Sequence, residues 1–136
     1  MPKPYDDSAS EGSAVRYLEV EDAIVLAERM GLLTRDVGLL ASAVGRPAAS
    51  AFGEEIYPTL HHKIAALIHG INRNHPMVDG NKRLSWMCAV AFARINYFDL
   101  RGTQDEIYDT VIDVEEGKTV VPDLADWVES HLHARP

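Results

Sequence analysis

Residues 58–96 read PTLHHKIAALIHGINRNHPMVDGNKRLSWMCAVAFARIN, and this stretch decides the fold. Leu60, Ile64, Leu67, Ile68 and Ile71 recur at the spacing of one helix face, which predicts a helix over about residues 58–73. Pro58 suits the first turn of that helix, where its missing N–H costs nothing. After a short loop carrying Asp79 and Gly80, the stripe Leu84, Met87, Cys88, Ala91, Phe92 and Ile95 predicts a second helix, starting at Gly80 or Asn81 and ending near Asn96. Ala89, Val90 and Ala93 widen its apolar face, so this helix is expected to be a central one, packed on several sides.

Helical spacing continues on both sides. Val20, Ile24, Ala27 and Met30 share a face, and Gly31 stands where a helix would end. A short helix fits about residues 36–44, closed by Gly45 and Pro47, and two more fit about 104–116 and 121–133. Gly117 separates the last two, and Pro122 falls in the first turn of the second. The one piece of extended character lies around residues 47–57. The expectation is an all-α fold, a compact bundle of about six helices, with a short extended flap between the second and third. Residues 1–15, rich in Pro, Ser, Gly and Asp, read as a flexible leader to a single domain over residues 16–136.

Composition narrows the function by exclusion. With 136 residues, 46% hydrophobic and 25% charged, the chain can bury one real core. No run approaches the roughly 18 apolar residues of a membrane helix, and the first residues lack the apolar centre of a secretory signal. One cysteine, Cys88, allows no intrachain disulfide, and a reduced, cytoplasmic setting is expected. Thirteen Lys and Arg against 21 Asp and Glu give a net charge of −8, which argues against a chain that coats nucleic acid.

The chemistry lies between the two most apolar helices, in His75-Pro-Met-Val-Asp-Gly-Asn-Lys-Arg83. Lys82 and Arg83 fall in the first turn of a helix, where the macrodipole prefers anions and each cation costs roughly 0.3–1 kcal/mol. Stability alone would place Asp or Glu there. The arrangement makes sense if a polyanion sits on the helix N-terminus and receives backbone N–H groups, dipole and side-chain charge together. Gly80 permits close approach of backbone to ligand, and Asp79 supplies oxygen for Mg²⁺. Asn81 can cap the helix or bind a phosphate oxygen, and His75 can exchange a proton near neutral pH. These are the parts that phosphoryl or nucleotidyl transfer needs.

HPMVDGNKR resembles the signature of the Fic/Doc family, H-x-F-x-[DE]-G-N-x-R, and most closely its Doc branch, which reads N-K-R. The resemblance spans roughly Tyr17 to Leu132, with Met77 standing where the family usually has Phe. It implies a toxin of a toxin–antitoxin pair: a protein kinase that uses ATP and Mg²⁺ to phosphorylate a threonine of elongation factor Tu and so stops translation. By the same resemblance His75 would be the general base, Asp79 the Mg²⁺ ligand, and Gly80, Asn81, Lys82 and Arg83 the phosphate holders. Lys82 would fill the room that a Gly leaves for an α-phosphate, so that the nucleotide presents its γ-phosphate. The extended piece would be a flap, Phe52, Gly53, Glu54, Glu55, Ile56 and Tyr57, that aligns the target backbone as an added strand. Restraint would come from an antitoxin whose disordered tail folds into a helix in a groove of this domain. Ser50 and Glu54 echo an inhibitory [ST]-x-x-x-E motif, but Glu55 breaks its pattern. Two other readings stay open: transfer of AMP to a protein hydroxyl, and a catalytically silent module that keeps the anion cradle.

The remaining candidates read as structural. His61, His62 and His69 lack a metal-ligand pattern and are expected to be surface or boundary residues of the third helix. Cys88 is expected to be an inert core thiol, Trp86 and Trp127 to pack, and Asp113, Glu115 and Glu116 to form a solvated face.

Overall fold

The computed structural model describes residues 15–136, so the expected leader lies outside the described residues except for Val15, which packs against the core. Six α-helices carry the described fold: α1 (Val20–Arg29), α2 (Val37–Gly45), α3 (Leu60–Asn74), α4 (Asn81–Ile95), α5 (Gln104–Glu115) and α6 (Val121–His131). Two small antiparallel ribbons join them. β1 (Ser50–Ala51) pairs with β2 (Glu54–Glu55), and β3 (Phe98–Leu100) pairs with β4 (Leu132–Ala134). None of the described helices is long and apolar enough to cross a membrane.

α4 is packed on α1, α3, α5 and β3, as expected, and the hub of the bundle is α3. It packs against α2, α4, α5 and α6, and Ile64, Ala65, Ala66, Leu67, Ile68 and Ile71 are all buried along it. At Gly70 the approach of α2 is so close that a Cβ would meet the Ala43 side chain at 3.2 Å. The face of α4 is narrower than its composition implied, since Met87 is 39% exposed. Asn72 of α3 donates to Ser85 Oγ of α4 at 2.7 Å, a polar link inside the apolar contact.

Three boundaries differ from the sequence expectation. Pro58 lies outside α3, because Thr59 is the N-cap, its hydroxyl accepting from His62 N. A cap that satisfies an orphan donor defines the start better than a residue that merely tolerates one. α6 stops at His131, and the residues expected to prolong it form β4 instead. β3 was not foreseen at all. The ribbon takes up backbone groups at Phe98, Asp99 and Leu100 that would otherwise lack partners. Beside it, the buried Asn96 side chain accepts from Arg16 N and donates to Arg16 O, both at 2.9 Å, and Arg135 N donates to Tyr97 O at 2.9 Å.

Candidate active site

The loop between α3 and α4 is moulded by its neighbours. His75 ends α3 in the left-handed region at φ 52, a conformation that costs a non-glycine residue on the order of 1 kcal/mol and persists where surroundings impose it. The α1–α2 connection does the imposing. Arg35 N and Asp36 N donate to Pro76 O at 2.8 and 3.0 Å, and Val78 N donates to Leu33 O at 2.9 Å. Thr34 and Met77 form a bridge, and the Arg35 guanidinium donates to His75 O. Met77 is 1% exposed, so the methionine anchors the loop in the core. Nothing in the sequence of residues 33–36 announced this role.

Gly80 is the N-cap of α4 at φ 84, and a Cβ there would lie 2.6 Å from Leu32 Cδ2. The positive φ disfavours any other residue here, and a Cβ would also push the Leu32 methyl groups aside. Asp79 Oδ1 accepts from Gly80 N at 2.8 Å, and the rest of this exposed carboxylate has no hydrogen-bond or ion-pair partner among the described residues. No side chain caps α4, and its first turn holds no acid. The first-turn N–H groups thus have no side-chain acceptor beside Lys82 and Arg83, as an anion site requires. Arg83 has no carboxylate partner among the described residues.

Asn81 does something the sequence did not foretell. Its Oδ1 accepts from Met77 N at 2.9 Å and its Nδ2 donates to Met77 O at 3.1 Å, so the side chain braces the loop rather than capping the helix. The same Nδ2 lies 3.2 Å from His75 Nδ1. The Met77 bonds orient the amide so that its nitrogen faces the His75 ring.

Glu115 corrects the expectation of a solvated acidic face. It is the last residue of α5, and its carboxylate oxygens lie 3.2 and 3.1 Å from Lys82 Nζ. Oε2 is also 3.6 Å from His75 Nε2. Arg73 holds the helix end in place by donating to Glu115 O at 2.8 Å. Asp113 and Glu116 remain exposed.

The structure brings His75, Asp79, Gly80, Asn81, Lys82 and Arg83 into one turn. The residues expected to form the flap stand apart, and among the described residues no hydrogen bond or ion pair joins them to that turn. Phe52 and Gly53 make the tip of the β1–β2 hairpin, with Phe52 fully exposed at φ 54, and Ile56 is half-exposed. The base of the hairpin is tied down by Lys63 of α3. This wholly buried lysine donates to Glu55 Oε1 at 2.8 Å, to Tyr57 O at 2.6 Å and to Pro47 O at 3.4 Å. Arg46 joins the same support, reaching Tyr57 Oη at 3.0 Å and His69 Nδ1 at 2.8 Å. Burial, with the charges of Arg46 and Arg73, lowers the His69 pKa and leaves its ring free to accept.

A cleft of about 640 Å³ opens beside the basic turn, walled by Met30, Trp86, Met87 and Tyr108, with Lys82 and Arg83 at its edge. Trp86 meets Trp127 edge-on at 6.1 Å between centroids, a packing contact. Cys88 is buried, and burial, with Asp22 nearby, pushes its pKa up to about 12, so the thiol is inert. His61 faces Glu129 at 3.7 Å and His62 Nδ1 meets the Thr59 hydroxyl, so both rings serve local structure.

Two comparisons agree with this geometry. A Toxin Doc of Mycolicibacterium smegmatis is 44% identical over 92 residues, which cover 65% of this chain and 71% of that protein. Residues 13–93 match the model of the Fic/DOC family, a region that contains the whole basic turn. The chain belongs to the Fic/DOC family.

Proposed function

We propose that the chain is the toxin of a toxin–antitoxin pair, a protein kinase that transfers the γ-phosphoryl group of ATP to a hydroxyl of a translation factor such as elongation factor Tu. The observation that carries this reading is the start of α4, with its two cations, no acid and no side-chain cap, next to the His75 ring. The similarity to a protein named Toxin Doc supports the toxin role.

Lys82, Arg83 and the first-turn N–H groups would hold the phosphates, while the Asn81 side chain braces the turn that presents them. Asp79 has the oxygen chemistry that Mg²⁺ takes, and the ion would screen phosphate charge there. As the hydroxyl oxygen bonds to phosphorus and the bond to the leaving diphosphate breaks, the hydroxyl proton passes to His75. The hairpin residues Phe52 to Tyr57 would align the target's backbone, and the apolar cleft beside Trp86 would receive a helix formed by the antitoxin tail. The setting is cytoplasmic, where ATP and translation factors occur.

Incubating the purified chain with elongation factor Tu, ATP and Mg²⁺ and weighing the factor tests the proposal. A gain of about 80 Da, one phosphoryl group, is expected, whereas about 329 Da would mean AMP transfer. His75→Ala should lose the gain by at least about a hundredfold. No gain with any triphosphate, from protein shown to be folded, overturns the reading.

A further inference from the structure

Two of the most exposed apolar side chains of the described fold stand side by side at the reactive turn. After Phe52 at the hairpin tip, Leu33 and Val78 are the most exposed large hydrophobic residues, at 72% and 64%. Backbone pairing brings them together. Thr34 and Met77 form an antiparallel bridge, so Leu33 lies opposite Val78 in the same short ladder, and Val78 N donates to Leu33 O at 2.9 Å. Successive side chains of an extended segment alternate between its two faces. Met77 takes the inner face, 1% exposed, which turns Val78 outward together with Leu33 across from it. Single exposed apolar residues are ordinary on a protein surface, but a cross-strand pair of them beside a reactive turn marks a contact.

We infer that Leu33 and Val78 form an apolar subsite for the protein target, which takes an aliphatic side chain neighbouring the hydroxyl to be phosphorylated. The inference rests on the kinase reading above. The pair rims a hollow of about 220 Å³ whose lining includes Met30, Asp79 and Arg83. That is less than the roughly 300–1,000 Å³ of pockets that enclose a small-molecule ligand, so the hollow is too small for a nucleoside. An aliphatic side chain would bury its apolar atoms against Leu33, Val78 and Met30. Asp79 and Arg83 supply the only charged groups of the lining, so an occupant lies against the residues read above as holding Mg²⁺ and phosphate. A target whose hydroxyl is flanked by a charged residue would bring that charge onto the apolar pair, lose water from it and gain no partner. The subsite therefore selects among hydroxyls by what stands next to them. Its contact forms on binding and persists through transfer, so it acts on KM rather than on kcat.

The experiment measures initial rates of transfer from ATP to elongation factor Tu by the full chain, for wild type and for Leu33→Gln with Val78→Thr. Both substitutions keep side-chain size and change polarity. Both positions are exposed, so the urea midpoint should stay at the wild-type value. KM for the factor should rise about five- to tenfold in this double variant, with kcat and KM for ATP unchanged. Leu33→Met with Val78→Ile should keep the wild-type KM, because the surface stays apolar. An unchanged KM for the factor in the polar variant, or an equal rise in the apolar one, overturns the inference and leaves the kinase reading standing. A rise in KM for ATP alone assigns the hollow to the nucleotide and overturns it as well. If wild type transfers nothing to the factor, the kinase reading fails and takes the inference with it.

Discussion

Lys63 Nζ lies 2.8 Å from Glu55 Oε1, with the lysine wholly buried and the glutamate on the second strand of the hairpin. The ion pair couples the core helix to the hairpin proposed to receive the target. Lys63→Met should lower unfolding free energy by about 2–4 kcal/mol in urea titrations, since it strands a carboxylate and the Tyr57 carbonyl. Glu55→Gln should cost only about 1 kcal/mol, because Glu55 is partly exposed and the carbonyl acceptors remain. Limited proteolysis should cut Lys63→Met first at the hairpin. Cleavage elsewhere would separate Lys63 from hairpin order.

His131 and Glu106 set a pH dependence. Burial works to lower the His131 pKa, but its bonds to the Glu106 carboxylate and the Trp127 carbonyl outweigh this and raise it. Glu106 is held down to about 2, first by its bond to His131 and then by the Thr103 cap. A raised histidine contributes stability fully below its unfolded value near 6.5, and the contribution fades as pH rises through the folded value. The depressed glutamate contributes above about 4.5 and loses its share as pH falls toward 2. The His131 contribution should therefore fade between pH 5.5 and pH 8.5, so the melting-temperature gap between wild type and His131→Gln should narrow across that range. A constant gap would remove the pair from the account.

Gly80→Ala attacks the fold and the site together. The positive φ predicts a loss of about 1–2 kcal/mol in urea titrations, with the Leu32 methyl groups giving way to the new Cβ. Pyrophosphate binding should weaken at least tenfold in variant protein that remains folded, as the first turn of α4 shifts. Wild-type affinity would mean that the cradle does not depend on this turn.

Cys88 should be silent to thiol reagents in the native protein. Its labelling by iodoacetamide should run at least about a hundredfold slower than in the urea-unfolded chain, because reaction waits for opening of the α3–α4 contact. Rapid native labelling would contradict the burial.

The six helices were legible because their apolar stripes are long enough for a 3.6-residue period to show. The turn from His75 to Arg83 was legible because misplaced charge is visible without coordinates. β3 and β4 were not, since three residues are too few for alternation to register, and β4 forms only by pairing with a strand more than thirty residues earlier. The rank of α3 was hidden by Lys63, a charged residue that reads as surface until its three acceptors are seen. Glu115 was hidden differently. It lies forty residues beyond His75, and only the packing of α5 against α3 and α4 brings it to Lys82.

The docking of Arg16 on Asn96 and of Arg135 on Tyr97 has a topological consequence. Two adjacent residues hold both ends of the described fold, so a short glycine-serine linker could join residue 135 to residue 16 without crossing the core. New termini opened between Phe52 and Gly53, at the exposed hairpin tip, would leave every helix intact. Such a circular permutant would carry the basic turn near its beginning and still bring Glu115 to it. In this fold the order in which helices leave the ribosome is separable from the site that they build.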